Sequence, residues 1–180
     1  MISIGLSDVT EDDLLALIAN EVSEGRSVEY KRELPKGNDE GKKEFLADAS
    51  SFANTAGGDL IFGIEEEKGL PINIVGIEIA DMDLELRRLD SILASGINPR
   101  IKYELRAIHL KNGNDAVILR TQRSWLAPHR VVFKGNDRFY GRNSAGKYSL
   151  DVTELRTAFN LSGTVNELYE LSGRIGSLRS

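Results

Sequence analysis

The chain has no cysteine and only two histidines, and it contains no apolar run approaching the ~18 residues that a membrane span needs. The first absence excludes disulfides and thiolate metal sites. His109 lies in a predicted strand and His129 follows Pro128 in a loop; without ligand spacing, both read as structural or incidental. No signal-peptide pattern, internal repeat or low-complexity tract is present, so the expected location is the cytoplasm, with no membrane partner. Gly-x-Ser-x-Gly and Gly-x-Gly-x-x-Gly are missing as well, which removes the commonest hydrolase and dinucleotide signatures. What is there is enough for one core: 180 residues at 41% hydrophobic content predict one domain with an appendage.

Charge is unevenly spread. The net charge is −5, but residues 1–99 hold 9 Lys and Arg against 21 Asp and Glu, whereas residues 100–147 hold 11 against 3. A basic block inside an acidic chain points to a polyanionic partner.

The organising stretch is Phe52 to Glu67. Phe45, Leu46, Ala49, Phe52 and Ala53 recur at helical spacing, while Leu60 to Ile64 is an apolar run suited to a buried strand. The reading places a left-handed helix end at Asn54 and a sharp turn at Gly57-Gly58. Upstream, Thr10 to Asp13 fits a capping box, and Val28 and Tyr30 point inward from a strand whose other face carries Glu29 and Lys31. A helix from Asp39 to Ala53 between two strands makes a crossover unit. Downstream come a strand around Ile72 to Ile77, a helix from Asp81 to Ser95, and four β segments: 101–110, 115–122, 130–133 and 138–142. Asn112-Gly113 and Lys134 to Asp137 are the expected hairpin turns. Two helices close the chain, one opening at Asp151 and one at Thr164. In the second, Leu168, Leu171, Ile175 and Leu178 form a seam for a homodimer or a following domain, as in a piece of a longer protein.

Three features carry chemistry. Glu24, Glu29 and Glu66, with Glu65 and Glu67 as competitors, converge if their strands are neighbours; such a set binds Mg²⁺ or Mn²⁺. Lys31 then sits where it neutralises charge on a phosphate. As a solvated acidic surface, the same residues do nothing. Gly141 to Tyr148 nearly spells a phosphate-binding loop, but Tyr148 stands where a Ser or Thr hydroxyl is required for Mg²⁺ and no helix begins immediately after Lys147, so it is rejected. The basic residues Arg120, Arg123, Arg130, Lys134, Arg138, Arg142 and Lys147, interleaved with Trp125, Phe133, Phe139 and Tyr140, suit a groove that tracks a nucleic-acid backbone.

In order along the chain, Val28-Glu29-Tyr30-Lys31, Phe52 to Gly58, Leu60 to Ile64 followed by acids, Val75-Gly76-Ile77, Asn98-Pro99 and Phe139 to Arg142 resemble the divergent Alba-like (AlbA_2) domain of Schlafen proteins and their bacterial relatives. The resemblance spans about residues 20–160. It implies an α/β (α+β) Alba-like core with a mixed sheet flanked by helices over residues 1–160, and a C-terminal helical extension over 161–180. It also implies nucleic-acid binding and, for some members, metal-dependent cleavage of structured RNA such as tRNA. The family's two Glu fall on Glu24 and Glu29, and its Asp falls at or beside Glu66, where this chain has only Glu. Two readings stand: a metal-dependent endoribonuclease, or a non-catalytic DNA-, RNA- or ATP-binding module of a bacterial regulator.

Overall fold

Strand β1 (Val28–Lys31), helix α2 (Asp39–Ala53) and strand β2 (Gly57–Phe62) form the expected crossover, with β1 and β2 adjacent and parallel in the computed structural model. The structure describes the backbone of residues 1–177 and the side chains of residues 1–164. Two later strands, β6 (Tyr103–His109) and β7 (Asp115–Gln122), complete a mixed sheet in the order β1-β2-β7-β6. A second, antiparallel sheet runs β10-β9-β8-β5, built from β5 (Ile97–Asn98), β8 (Arg130–Phe133), β9 (Asn136–Asn143) and β10 (Gly146–Ser149). The hairpin of β3 (Ile64–Glu67) and β4 (Leu70–Ile74) projects from the end of β2.

Alternation along the strands sorts the core into two layers. Leu60, Phe62, Val117 and Leu119 pack against Phe45, Leu46, Ala49 and Phe52 of α2 and Leu89 and Leu93 of α3 (Met82–Gly96), with Ile97 and Val131 of the second sheet. Ile61, Ile118, Val28 and Tyr30 face the other way, onto Leu14 and Leu17 of α1 (Glu11–Ala19). Helix α2 thus lies between the two sheets, which is why nine consecutive residues from Phe45 to Ala53 are buried. The capping box at α1 is present, the Thr10 N–H donating to Asp13 Oδ2 at 2.8 Å.

Three local expectations are corrected. Asn54 ends α2 in right-handed backbone (φ −75°, ψ −10°), and the left-handed turn falls on Gly57 (φ +74°). The Asn54 side chain is spent on tertiary bonds instead: its amide donates to the carbonyls of His129 and Tyr140, and its oxygen accepts from the His129 N–H at 2.7 Å. Gly58 is required by closeness, since a Cβ there would sit 2.3 Å from the Phe52 ring. The β8–β9 turn is tighter than read, using only Lys134 and Gly135, both at positive φ, so β9 starts at Asn136. The C-terminal segment is one helix, α4 (Val152–Ser177), not two, because the Thr164 hydroxyl bonds back to the Asn160 carbonyl and caps nothing. The side chains of the Leu168, Leu171, Ile175 and Leu178 seam lie outside the described residues. No helix among the described residues is long and apolar enough to cross a membrane.

Candidate functional site

Strand β1 is an edge of the mixed sheet, and its free edge is closed by the loop before it. The Glu24 carboxylate accepts the Tyr30 N–H at 2.7 Å, and the Glu24 N–H donates to the Gly69 carbonyl at 2.7 Å, tying the loop to the β3–β4 turn. Glu66 closes that same turn by accepting the Gly69 N–H at 2.6 Å. Glu24 therefore stands between the other two predicted acids. It lines one cavity of about 380 Å³ with Lys31 and Glu66, and a second of about 540 Å³ with Glu29 and Lys147. Burial, and then the charges of Glu29 and Glu66, push its pKa above the ordinary value, against the Tyr30 hydrogen bond and Lys31. Of the three consecutive acids, Glu65 pairs with Arg32, and Glu66, exposed like Glu67, is the one whose charge bears on Glu24.

Glu29 is held differently. Burial works to raise its pKa, but the hydrogen bond from Lys31 and the charge of Arg142 outweigh it, leaving the carboxyl below the usual range. One oxygen takes Lys31 Nζ at 2.8 Å and the other takes Arg142. Behind this pair lies a residue that sequence reasoning missed. Asp48 of α2 is buried, 2.9 Å from Lys147 Nζ and 3.5 Å from Arg142 Nη1. Its position on the apolar stripe beside Phe45, Leu46 and Ala49 was the available signal. Burial raises its carboxyl pKa, opposed by Lys147 and Lys31.

This arrangement bears on metal binding. With both Glu29 oxygens on cations, Glu24, Glu29 and Glu66 do not form a ligand set as placed, and no group of three or more His, Asp and Glu among the described residues is disposed to hold a metal ion. Glu24 and Glu66 each keep one oxygen outside the hydrogen bonds described above.

The pKa directions give a test with a definite sign. Glu24 is raised, so its charge costs stability at neutral pH, and the cost fades as pH falls through the raised pKa toward 4.5, below which both folded and unfolded forms are protonated. Glu24→Gln keeps an acceptor for Tyr30 and removes the charge. Thermal melts should show the variant more stable than wild type at pH 7, with the gap closing in acid; a gap that is absent at pH 7 or widens in acid refutes the assignment.

The predicted basic groove is largely dismantled by folding. Arg120 is buried against Asp59 at 2.7 Å and donates to the carbonyls of Ile2 and Ile4, holding the N-terminal segment. Arg142, also buried, stacks 4.2 Å above the Phe52 ring and donates to Gly25, Ser51 and Glu29. Lys147 pairs with Asp48 and Glu44, Lys134 with Asp39, and Arg130 lies 3.8 Å from Asp137. Arg123 and Arg138 alone of the seven are exposed without an ionic partner among the described residues; Arg100 and Lys102 share that state. The aromatics follow suit. Phe133 and Tyr140 pack against the core and Phe139 meets Phe159 edge-on, whereas Trp125 stays 60% exposed. Gly141 to Tyr148 is the β9–β10 hairpin, as its rejection as a phosphate loop requires. His129 is buried, its pKa lowered by desolvation, with Nδ1 2.7 Å from the Pro99 carbonyl.

None of the curated proteins matches the chain. Among solved structures, it is similar to the DIP2311 protein of Corynebacterium diphtheriae, at 21% identity and TM-score 0.48, over 78% of this chain and 27% of that one. It is also similar to the N-terminal domain of an ATP-dependent DNA helicase RecG-related protein from Nitrosomonas europaea, at 26% identity and TM-score 0.49, over 64% of this chain and 74% of that one. The chain thus spans about a quarter of the first of these and about three quarters of the second. A family model, Schlafen AlbA_2, matches residues 24–151, from the Glu24 loop to the residue that caps α4, and over that majority of its length the chain belongs to the Schlafen AlbA_2 family.

Proposed function

We propose that the domain binds nucleic acid, RNA or DNA, by its backbone. The observation that supports this is what folding leaves over of the basic block: within residues 100–147, Arg100, Lys102, Arg123 and Arg138 remain exposed without an ionic partner among the described residues. Family membership gives the same direction. Three or four cations neutralising phosphates on a single strand correspond to a log affinity that falls by roughly 2 to 3 per tenfold rise in salt. A gel-shift titration between 50 and 200 mM salt, as order-of-magnitude conditions, checks this. Undetectable binding at the low end, or affinity independent of salt, refutes the proposal.

A second reading is favoured by one observation, the pressure of both Glu29 and Glu66 on the half-buried Glu24. In that reading the domain is an endoribonuclease on structured, tRNA-like RNA, using Glu24, Glu29, Glu66 and Lys31 with Mg²⁺ or Mn²⁺. As placed, Glu29 is committed to Lys31 and Arg142, so this reading requires a rearrangement that the binding reading does not. Incubating tRNA with Mn²⁺ or with a chelator separates the two. Cleavage that needs the metal and is lost in Glu24→Gln establishes the enzyme; intact tRNA in both arms leaves the binding module.

A further inference from the structure

The loop between β7 and β8 carries the chain's single tryptophan. Trp125 is 60% exposed and Leu126 beside it 53% exposed, an apolar expense that nothing in the core requires. The Arg123 guanidinium lies 4.7 Å from the indole centroid. Together with Arg100, Lys102 and Gln122 these residues line a hollow of about 460 Å³, within the ~300–1,000 Å³ of small-molecule pockets. No acid lines it, in a chain that has 28 Asp and Glu. An exposed indole against unpaired cations is the pairing that a nucleotide needs: a planar face for the base and positive charge for the phosphate.

We propose that this hollow is a site for an unpaired nucleotide within a single strand, the base stacked on Trp125 and the flanking phosphates held by Arg100, Lys102 and Arg123. The proposal rests on the nucleic-acid reading above and deepens it, because it selects single strands. A duplex hides its base faces in the stack and offers only phosphates. An acidic peptide matches the charge but has no planar group to place on the indole.

Because Trp125 is the only tryptophan, indole fluorescence excited at wavelengths where the five tyrosines do not absorb reports this site alone. A single-stranded oligothymidylate should quench it saturably. A blunt duplex of mixed sequence should leave it nearly unchanged. By anisotropy of labelled strands, Trp125→Ala should weaken single-strand binding on the order of tenfold and leave duplex binding as it was. Single-strand binding by anisotropy without quenching, or an equal loss on both substrates, overturns the stacking site while leaving nucleic-acid binding intact. Quenching by poly-glutamate but not by oligothymidylate overturns it in favour of an acidic peptide. If neither strand binds at all, the nucleic-acid reading fails first and this site with it.

Discussion

Arg142→Ala is expected to lower the unfolding free energy by about 3–5 kcal/mol, the usual cost of removing one partner from a buried ion cluster. For a chain of this length that corresponds to a fall in Tm on the order of 10 °C. The size follows from how much the one side chain holds. Arg142 sits on β9, reaches Glu29 on β1, the Gly25 carbonyl in the preceding loop and Ser51 on α2, and lies 3.5 Å from Asp48. Deleting it leaves Glu29 with Lys31 and Asp48 with Lys147, and it uncovers the Phe52 ring. Arg142→Lys should recover only part of the loss, since an ammonium does not reproduce the planar fork. Denaturant melts decide: an unchanged Tm together with weakened nucleic-acid binding would make Arg142 a phosphate ligand and overturn the placement.

The second large effect belongs to Arg120. Asp59 is fully buried on the central strand β2 and accepts from Arg120 and from the Ile2 N–H at 2.7 Å. Arg120→Ala strands that carboxylate, at a cost of about 3–5 kcal/mol, and releases the segment from Ile2 to Ile4. Replacing Asp59 and Arg120 together by apolar residues of similar volume should cost far less than Arg120→Ala alone, because no buried charge is then left unpaired. The double-mutant cycle is the measurement. Additive losses would mean that the two side chains do not depend on each other.

Much of the fold was legible because its signals are local and periodic. The stripe from Phe45 to Ala53, the apolar run from Leu60 to Phe62 and the inward Val28 and Tyr30 fix the crossover and both its faces. Asn54 was misread because a helix-end Asn has two uses, and the tertiary bonds to His129 and Tyr140 that decide between them come from 75 and 86 residues away. Strand β5 was missed because two residues hold no period, and β10 because Gly146, Lys147, Tyr148 and Ser149 include no β-branched residue and no apolar alternation.

At the candidate site, strand adjacency set Glu24 beside Glu66 in one cavity and beside Glu29 in another, without gathering the three acids around one point. Which cation each carboxylate holds did not follow from it. The charge partition was visible, but its main meaning is intramolecular: Asp59 takes Arg120, Glu29 and Asp48 take Arg142, Glu44 and Asp48 take Lys147, and Asp39 takes Lys134. With Lys111 on Glu11 and Asp12, five of the 11 cations in residues 100–147 pair with acids from residues 1–99 among the described residues. Composition cannot separate cations consumed in this way from those left facing water.

That separation is tested most directly by two charge-reversal pairs with equal change in net charge, Lys102→Glu with Arg123→Glu and Lys111→Glu with Lys134→Glu, assayed by anisotropy on one labelled single strand. Lys111 and Lys134 are already paired with Glu11, Asp12 and Asp39, whereas Lys102 and Arg123 have no ionic partner among the described residues. The first pair should raise Kd at least tenfold, roughly two phosphate contacts' worth, and the second by no more than a few-fold. Equal losses in the two pairs would mean that only overall charge matters, and no loss in the first would mean that the unpaired cations do not hold nucleic acid.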